Sequence, residues 1–476
     1  MCEFPADDPQ GLPEFARGPV QGWRSWLRDW SLAPQTVFLI GPSLEFDIEL
    51  NQFFWSAEMT AAARNTRVGY ARNLAQFLSF LASARGATGW RDATTADHLA
   101  YLNWRLHDPA GPRVAATTWD REVAAVNRFY RWQVEAGRVA RNPIPQRRVF
   151  YRHGRWGSTG GGERPATYSH SAVSERVQWL PAADYRRWRD VGMRGYTSAG
   201  LLDDRFRGRW AARNAAFCDL MVRTGMRLTE QASLTIVEVP QGRSAQTHRR
   251  FWLAPAIAKG GSARWVYVPS SVVNDLDLYR SVDRRSVIEA AQAAGRYRTV
   301  TDRWVVEPGS TTAIGAGGQR VKVAHLDDLE RRRLFVEGPD GLEPAALWLS
   351  ELGEPMATST WKSIFQAANG RCAAHQVALR AHPHMLRHTF AVVTLEQLQR
   401  GHVAALQALN PDQRGHYTRI FGDPLDWLRR RLGHRSVTTT QIYLHALQEL
   451  EMETRMALVP DGWEAVDPIG EAGAQE

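Results

Sequence analysis

The chain has 476 residues and 44% hydrophobic content, enough for two or three domains that each bury a core, and a formal charge of +9 that favours an anionic partner, most often nucleic acid. Its three cysteines, Cys2, Cys218 and Cys372, form no CxxC pair, which argues against a disulfide framework or a zinc ribbon and fits a reducing compartment. No apolar run is long enough to span a bilayer, and the start Met1-Cys2-Glu3-Phe4-Pro5 lacks a signal-peptide pattern, so no membrane contact and a cytoplasmic location are expected.

Residues 1–50 are rich in Pro, Gly and Trp. Trp23, Trp26, Leu27 and Trp30 are spaced by three and four, which predicts a short helix, either an arm that contacts DNA or a partner, or packing for the next domain. Residues 51–140 predict a helical bundle. Tyr70, Leu74, Phe77, Leu78 and Leu81 form one stripe, and Val123, Val126, Tyr130 and Val134 another. A helix near 95–105 lies between them, with Thr94 or Thr95 as its cap. Arg64, Arg67, Arg72, Arg121, Arg128 and Arg131 fall mostly on other faces, as solvated surface or as phosphate contacts. Gly137 and Asn142-Pro143 end the bundle.

Residues 141–176 read as a basic linker. Arg141, Arg147, Arg148, Arg152 and Arg155 are interleaved with Phe150, Tyr151 and Trp156, and Gly160-Gly161-Gly162 is expected to prevent regular structure. Residues 177–460 make a second domain, followed by a tail at 461–476. A helix carrying Phe217, Leu220 and Met221 stops at Gly225. Residues 251–257 and 264–268 predict two strands around Lys259-Gly260-Gly261. Residues 275–345 read as charged and irregular, with a mobile loop at 308–319. Helical pattern returns at 359–368 and 385–398. A loop is expected at 410–424, and two last helices end near Gly433 and Leu458.

Four motifs carry chemistry. Thr224-Gly225-Met226-Arg227-Leu228-Thr229-Glu230 presents Arg227 from a turn, with Thr229 as a possible cap and Glu230 able to hold Arg227. Lys259 sits at a hairpin tip. His384-Met385-Leu386-Arg387 puts a His and an Arg three apart at a helix start, where both can reach one phosphate oxygen. Leu432-Gly433-His434-Arg435-Ser436-Val437-Thr438-Thr439-Thr440-Gln441-Ile442-Tyr443 exposes His434 on a turn, and Ser436 or Thr438 caps the helix that bears Tyr443. Each is ordinary alone, since an arginine and a histidine on a surface helix are common and a helical tyrosine is usually core. Their company and order in one domain are not.

That order, with Leu386-Arg387-His388-Thr389-Phe390-Ala391, resembles the tyrosine recombinase, or phage integrase, family. The family's Arg, Lys, His-x-x-Arg, His and Tyr fall on Arg227, Lys259, His384, Arg387, His434 and Tyr443, with Glu230 and His388 as supporting residues. The resemblance implies a mainly α fold with a small antiparallel β-sheet: a helical core-binding domain plus an integrase-like catalytic domain, forming a clamp around DNA. Longer intervals than usual after Lys259 and after Arg387 read as insertions at 280–345 and 400–422. They leave Lys322 and Lys362 as alternatives to Lys259.

The implied reaction is site-specific cleavage and rejoining of DNA through a 3′-phosphotyrosine, for integration or excision of a mobile element. Arg227 and Arg387 would neutralise the phosphate, joined by a hydrogen bond from His434. The positive cluster would favour the Tyr443 phenolate, with His384 as proton acceptor or orienting donor and Lys259 as general acid. No metal or other cofactor is required. Expected partners are double-stranded DNA at the nucleoid, contacted by Arg64, Arg67, Arg72, Arg121, Arg128, Arg147, Arg148, Arg152 and Arg155, and further copies in a tetramer. Partner recombinases are possible. The terminal helix 444–458 docks in cis or in trans. The alternatives are a type IB topoisomerase, which would relax supercoils without site preference, and a DNA-binding accessory protein with an inactive site.

Overall fold

A computed structural model describes residues 1–3, 29, 32, 36–153, 158–169, 177–208, 210–300, 302–407 and 423–458. Two units divide the chain, Met1–Ser174 and Glu175–Glu476. The helix expected around Trp23 to Trp30, Arg155 and the tail at 461–476 lie outside the described residues.

The first unit opens with strands β1 (Cys2–Glu3) and β2 (Val37–Phe38), then packs α1 (Ile48–Trp55), α2 (Ala57–Ala61), α3 (Arg64–Ala84), α4 (Thr95–Leu106) and α5 (Ala116–Glu135). The helical period puts Leu74, Phe77 and Leu81 of α3 against Val123, Val126 and Tyr130 of α5, joined by Trp119 and Phe129, all buried. Truncating one such aromatic to alanine costs about 3–5 kcal/mol. Thr94 caps α4 and Asp97 answers it through the Thr94 backbone N–H at 2.9 Å. Inside this core Glu122 accepts from Arg105 Nε and from the Tyr101 hydroxyl, each at 2.8 Å. Arg64, Arg72, Arg121 and Arg131 are exposed and Arg67 is half-buried, while Arg128 is exposed but held by Glu58.

The supposed linker is largely structured. Strands β3 (Gln146–His153) and β4 (Ser158–Pro165) pair antiparallel, with Val149, Phe150 and Tyr151 opposite Gly162, Gly161 and Gly160. Extended backbone is open to glycine, and eight paired positions outweigh its entropy cost. Arg147 and Arg148 lie exposed on β3, and Arg152 is on the same strand. Beyond the hairpin the chain is fastened to α5, where Trp119 Nε1 donates to the Thr167 carbonyl at 2.8 Å.

The second unit is built on α6 (Ala182–Gly192), α7 (Ala211–Thr224) and the short α8 (Leu228–Ala232). A hairpin follows, β5 (His248–Leu253) with β6 (Arg264–Pro269), then α9 (Ser270–Tyr279), joined by a π turn to α10 (Arg285–Ala293). The first strand therefore starts earlier than expected and ends before Ala254. Trp188, Phe217, Trp348 and Trp361 centre the core, and Phe217 stacks on Trp361 with ring centroids 3.5 Å apart.

The region read as irregular is a folded insert. Strands β7 (Trp304–Val306), β8 (Thr312–Gly315) and β9 (Arg320–Lys322) precede α11 (Asp328–Arg331), β10 (Leu334–Gly338) and β11 (Gly341–Pro344). They form one sheet in the order β11-β10-β7-β8-β9, mixed rather than purely antiparallel because β10 and β7 run parallel. The expected mobile loop at 308–319 contains β8, whose Ala313 is fully buried against Val306, Val323 and Leu334. Arg331 ties the insert down, donating to Glu238 at 2.7 and 2.9 Å and to the Val323 and Leu326 carbonyls.

The unit ends with α12 (Thr358–Ala374), α13 (Pro383–Gln407), α14 (Pro424–Leu432) and α15 (Thr438–Leu458). Helix α13 runs through 400–407, the first part of the second expected insertion; 408–422 lie outside the described residues. Pro424 is not loop but the first residue of α14, suited to the N1 position by its fixed φ, with Asp423 as cap. Among the described residues no helix is long and apolar enough to cross a membrane.

Candidate active site

Gly225 ends α7 with φ of 64°, a left-handed turn that glycine adopts without strain. A Cβ here would also stand 2.3 Å from the Phe390 ring, so α7 and α13 approach through this residue. The turn delivers Arg227 to the start of α8. Glu230, not Thr229, organises that start: its carboxylate accepts from the Arg227 backbone N–H and from Arg227 Nη1, both at 2.9 Å, and from Arg264 Nη2 at 2.6 Å. Burial would raise the Glu230 pKa, but Arg264, with Arg227, outweighs it and brings it down to about 2. Arg264 was not anticipated, because an arginine at the first position of an alternating strand looks like an edge residue.

Arg387 is one turn into α13 and only 1% exposed. Its Nη1 donates to the Gly225 carbonyl, and its Nη2 donates to the Leu432 carbonyl at 2.7 Å and to His434 Nε2 at 3.1 Å. The guanidinium thus caps the C-terminal ends of both α7 and α14, where partial negative charge gathers. Three of its five N–H donors are used. Burial, and then the like charge of Arg227, push its pKa down to about 9.

Gly433 closes α14 with φ of 65°, and a Cβ there would stand 3.0 Å from Arg264 Nη1 and Ser262 Oγ. His434 follows. With Nε2 accepting from Arg387, the neutral ring donates from Nδ1 to Thr440 Oγ1 at 3.0 Å, a buried hydroxyl also missed in the sequence. Burial, then the charges of Arg387, Arg227 and Arg264, drive His434 down to about 3. Ser436 caps α15, accepting from the Thr438 N–H at 3.1 Å.

Tyr443 is 1% exposed, in an apolar cluster with Phe390, Ala391, Leu395 and Leu428. Its hydroxyl lies 3.0 Å from His388 Nδ1. The phenol pKa is raised, not lowered: burial exceeds the pull of Arg387 and Arg227. The expected phenolate is therefore not favoured in the free protein. His384 is exposed, one turn before His388, and the two rings meet edge-on with centroids 4.2 Å apart. Its pKa is lowered by burial of part of the ring, then by Arg387, His382, Arg227 and Lys259.

Lys259 is exposed in the 3-10 turn Lys259–Gly261, where Gly260 and Gly261 both have φ near 65–69°. Arg435 Nη2 donates to the Gly260 carbonyl at 2.6 Å and ties that turn to the loop after His434. Lys322 ends β9 of the insert and Lys362 is exposed on α12, so neither belongs to the elements that carry the cluster. Arg227, Glu230, His384, Arg387, His388, His434 and Tyr443 thus converge, with Lys259 within electrostatic reach of His384. Among the described residues no group of three or more His, Cys, Asp or Glu side chains is placed to hold a metal ion.

Residues 51–137 match the family model of the phage integrase N-terminal SAM-like domain, and residues 203–399 match that of the phage integrase family. The tyrosine recombinase XerC of Lactobacillus delbrueckii subsp. bulgaricus is 21% identical over 396 residues, 82% of this chain and 91% of that protein. Among solved structures, the XerH site-specific recombinase bound to palindromic difH substrate, a post-cleavage complex, is 13% identical with a TM-score of 0.46, covering 96% of this chain and 100% of that one. The Tn1549 transposon integrase with a circular intermediate DNA is 12% identical with a TM-score of 0.43, covering 86% and 99%.

Proposed function

The chain belongs to the phage integrase family of tyrosine recombinases, enzymes that cleave and rejoin DNA, and from that premise we propose that Tyr443 makes the covalent 3′-phosphotyrosine bond. The observation that carries this reading is the Tyr443 hydroxyl, 3.0 Å from an imidazole, beside a buried guanidinium with no carboxylate bonded to it. The uncatalysed reaction is so slow that the site must supply on the order of 20 kcal/mol. Arg227 and the free donors of Arg387 bind the non-bridging oxygens, where charge grows in the transition state. His434 orients Arg387 in the free protein, and it adds a donor to the phosphate only once Arg387 releases its Nε2 and the ring takes the Nε2–H tautomer. His384, exposed at the start of α13, steadies another oxygen. Lys259 gives a proton to the departing 5′ oxygen. Because the phosphoester is kept on the protein, rejoining needs no nucleotide triphosphate.

The helical unit would grip the duplex through Arg64, Arg67, Arg72 and Arg121, with Arg147 and Arg148 of the β3–β4 hairpin adding phosphate contacts. Arg128 contributes less, since Glu58 already holds it. The protein acts at the nucleoid on a mobile element, a reading supported by the folded insert, which a minimal resolvase would not need. We further propose a tetramer on DNA in which the part of segment 444–458 beyond Leu447 docks in trans, since Leu444, Ala446 and Leu447 pack in cis against the cluster around Phe390. A groove of about 670 Å³ in the second unit, lined by Val222, Val272, Val393, Leu398 and Trp427, supports it. There Arg431 lies 3.8 Å over Tyr267 and 4.5 Å over Trp427, with Nε and Nη1 lacking hydrogen-bond partners. The terminal segment supplies Glu449, Glu451 and Glu453 as matching acids.

The test is covalent capture. Nicked duplexes with a randomised core are incubated with the full chain and protein-linked DNA is recovered in denaturant. Capture is expected, and Tyr443→Phe is expected to reduce it by at least about 10⁴-fold, the scale for loss of a nucleophile. Unchanged capture by Tyr443→Phe would refute the assignment.

A further inference from the structure

Four imidazoles, those of His382, His384, His388 and His434, lie in or beside the cluster, and they are not equivalent toward Tyr443. His434 faces the tyrosine ring at a centroid distance of 6.3 Å, but both its nitrogens are committed, to Arg387 and to Thr440. His382 Nδ1 accepts from the Met385 backbone N–H at 3.2 Å. His384 is exposed and meets the His388 ring, not the phenol. His388 puts Nδ1 at 3.0 Å from the Tyr443 oxygen. The contact joins α13 to α15, whose apolar faces pack through Phe390, Ala391 and Leu395 against Tyr443 and Ala446, so the pair is held by a core rather than by a surface loop.

We propose that His388, through Nδ1, takes the Tyr443 proton during cleavage and returns it during rejoining, a proposal that rests on the recombinase reading. In cleavage the phenol oxygen forms its bond to phosphorus as its proton passes to Nδ1. The bond from phosphorus to the 5′ oxygen breaks, and the electron pair leaves with that oxygen, which is protonated from Lys259. In rejoining the 5′ hydroxyl attacks phosphorus as its proton returns to the Lys259 amine, the bond from phosphorus to the tyrosyl oxygen breaks, and the imidazolium hands its proton to that oxygen.

The surroundings suit a reversible carrier. Burial first, then the neighbouring His384, Arg387 and His382, push His388 down to about 4, so its lone pair is free at neutral pH. A phosphate entering the cluster raises the basicity of every imidazole there, so acceptance becomes easier once DNA is bound. Afterwards a proton on His388 sits among like charges and is readily returned to the leaving phenolate. His384 then serves the phosphate rather than the nucleophile.

The experiment uses a duplex captured by the native chain from the randomised pool. Single-turnover cleavage is followed from about pH 7 to 9 for the native chain, His388→Asn and His384→Asn. Asparagine keeps a polar atom near the Nδ1 position but cannot carry the proton. Native cleavage should be nearly flat with pH. His388→Asn should fall by about 10²-fold or more at neutral pH and recover about tenfold per unit as solvent takes over deprotonation, whereas His384→Asn should keep the flat profile. A flat profile for His388→Asn, within a few-fold of native rate, overturns the proposal while leaving the recombinase reading intact. Absence of any capture by the native chain overturns both. If His388→Asn does not fold, ¹⁵N-histidine spectra of the native full chain decide: an unprotonated Nδ1 on His388 whose signal shifts in Tyr443→Phe supports the proposal, and a protonated Nδ1 refutes it.

Discussion

Two buried arginines, one in each unit, keep the same charge in opposite ways. Arg105 is matched by Glu122, which meets Nε at 2.8 Å, takes a second bond from Nη2 and is braced by the Tyr101 hydroxyl. Burial disfavours the Arg105 charge, but its bond to Glu122 prevails and raises its pKa. Arg387 has two carbonyls and a neutral imidazole instead, and burial followed by the charge of Arg227 brings it down to about 9. A matched guanidinium holds a fold. One crowded by like charge is an expense to the free protein that an anion from outside relieves.

The largest effect that would break this contrast is on chemistry. Arg387→Met should lower single-turnover cleavage by about 10³-fold, the scale of one lost charge-stabilising donor, and a loss under tenfold would remove Arg387 from the reaction. Its stability cost, read by denaturant titration, should stay near 1–3 kcal/mol, because the groups that lose a partner, two carbonyls and one imidazole nitrogen, are all neutral. In the other unit the balance inverts. Glu122→Ala strands Arg105 in the core and should cost about 3–5 kcal/mol, seen as faster hydrogen exchange across residues 95–135.

A smaller effect sharpens the contrast directly. Inorganic phosphate at about ten times its Kd should stabilise the second unit by about 1.4 kcal/mol and leave exchange in the first unchanged. Equal protection of both units would mean that the cluster around Arg387 is not an anion site. The mildest effect is acid. The folded pKa values of His388 and His434, about 4 and about 3, lie below the ordinary 6.5. Unfolding therefore takes up protons. Their contribution is complete above pH 6.5 and drains away as pH falls toward 4 and then 3. His98 of the first unit, also near 4, does the same, but added phosphate should restore only the second unit.

What could be seen in the sequence was local. His384-x-x-Arg387 and Gly433-His434 through Tyr443 are short runs in which residue type, spacing and helix boundary coincide, and the two long stripes on α3 and α5 repeat often enough to fix a face. The five-stranded insert was invisible because its strands are three to five residues long, too short for alternation to show between turns. The glycine triplet of β4 was misjudged because glycine breaks isolated strands, whereas pairing along β3 supplies order that no local window contains. The sign of the Tyr443 shift was missed for a related reason. Charges can be read from a string of residues, but the depth at which a phenol is buried cannot.

That depth sets the order of events at the site. A hydroxyl on a residue with 1% of its surface in water cannot meet a phosphate on a duplex as broad as DNA until α15 and its neighbours shift. Every turnover thus begins with a mechanical event, a shift in packing that must precede bond-making.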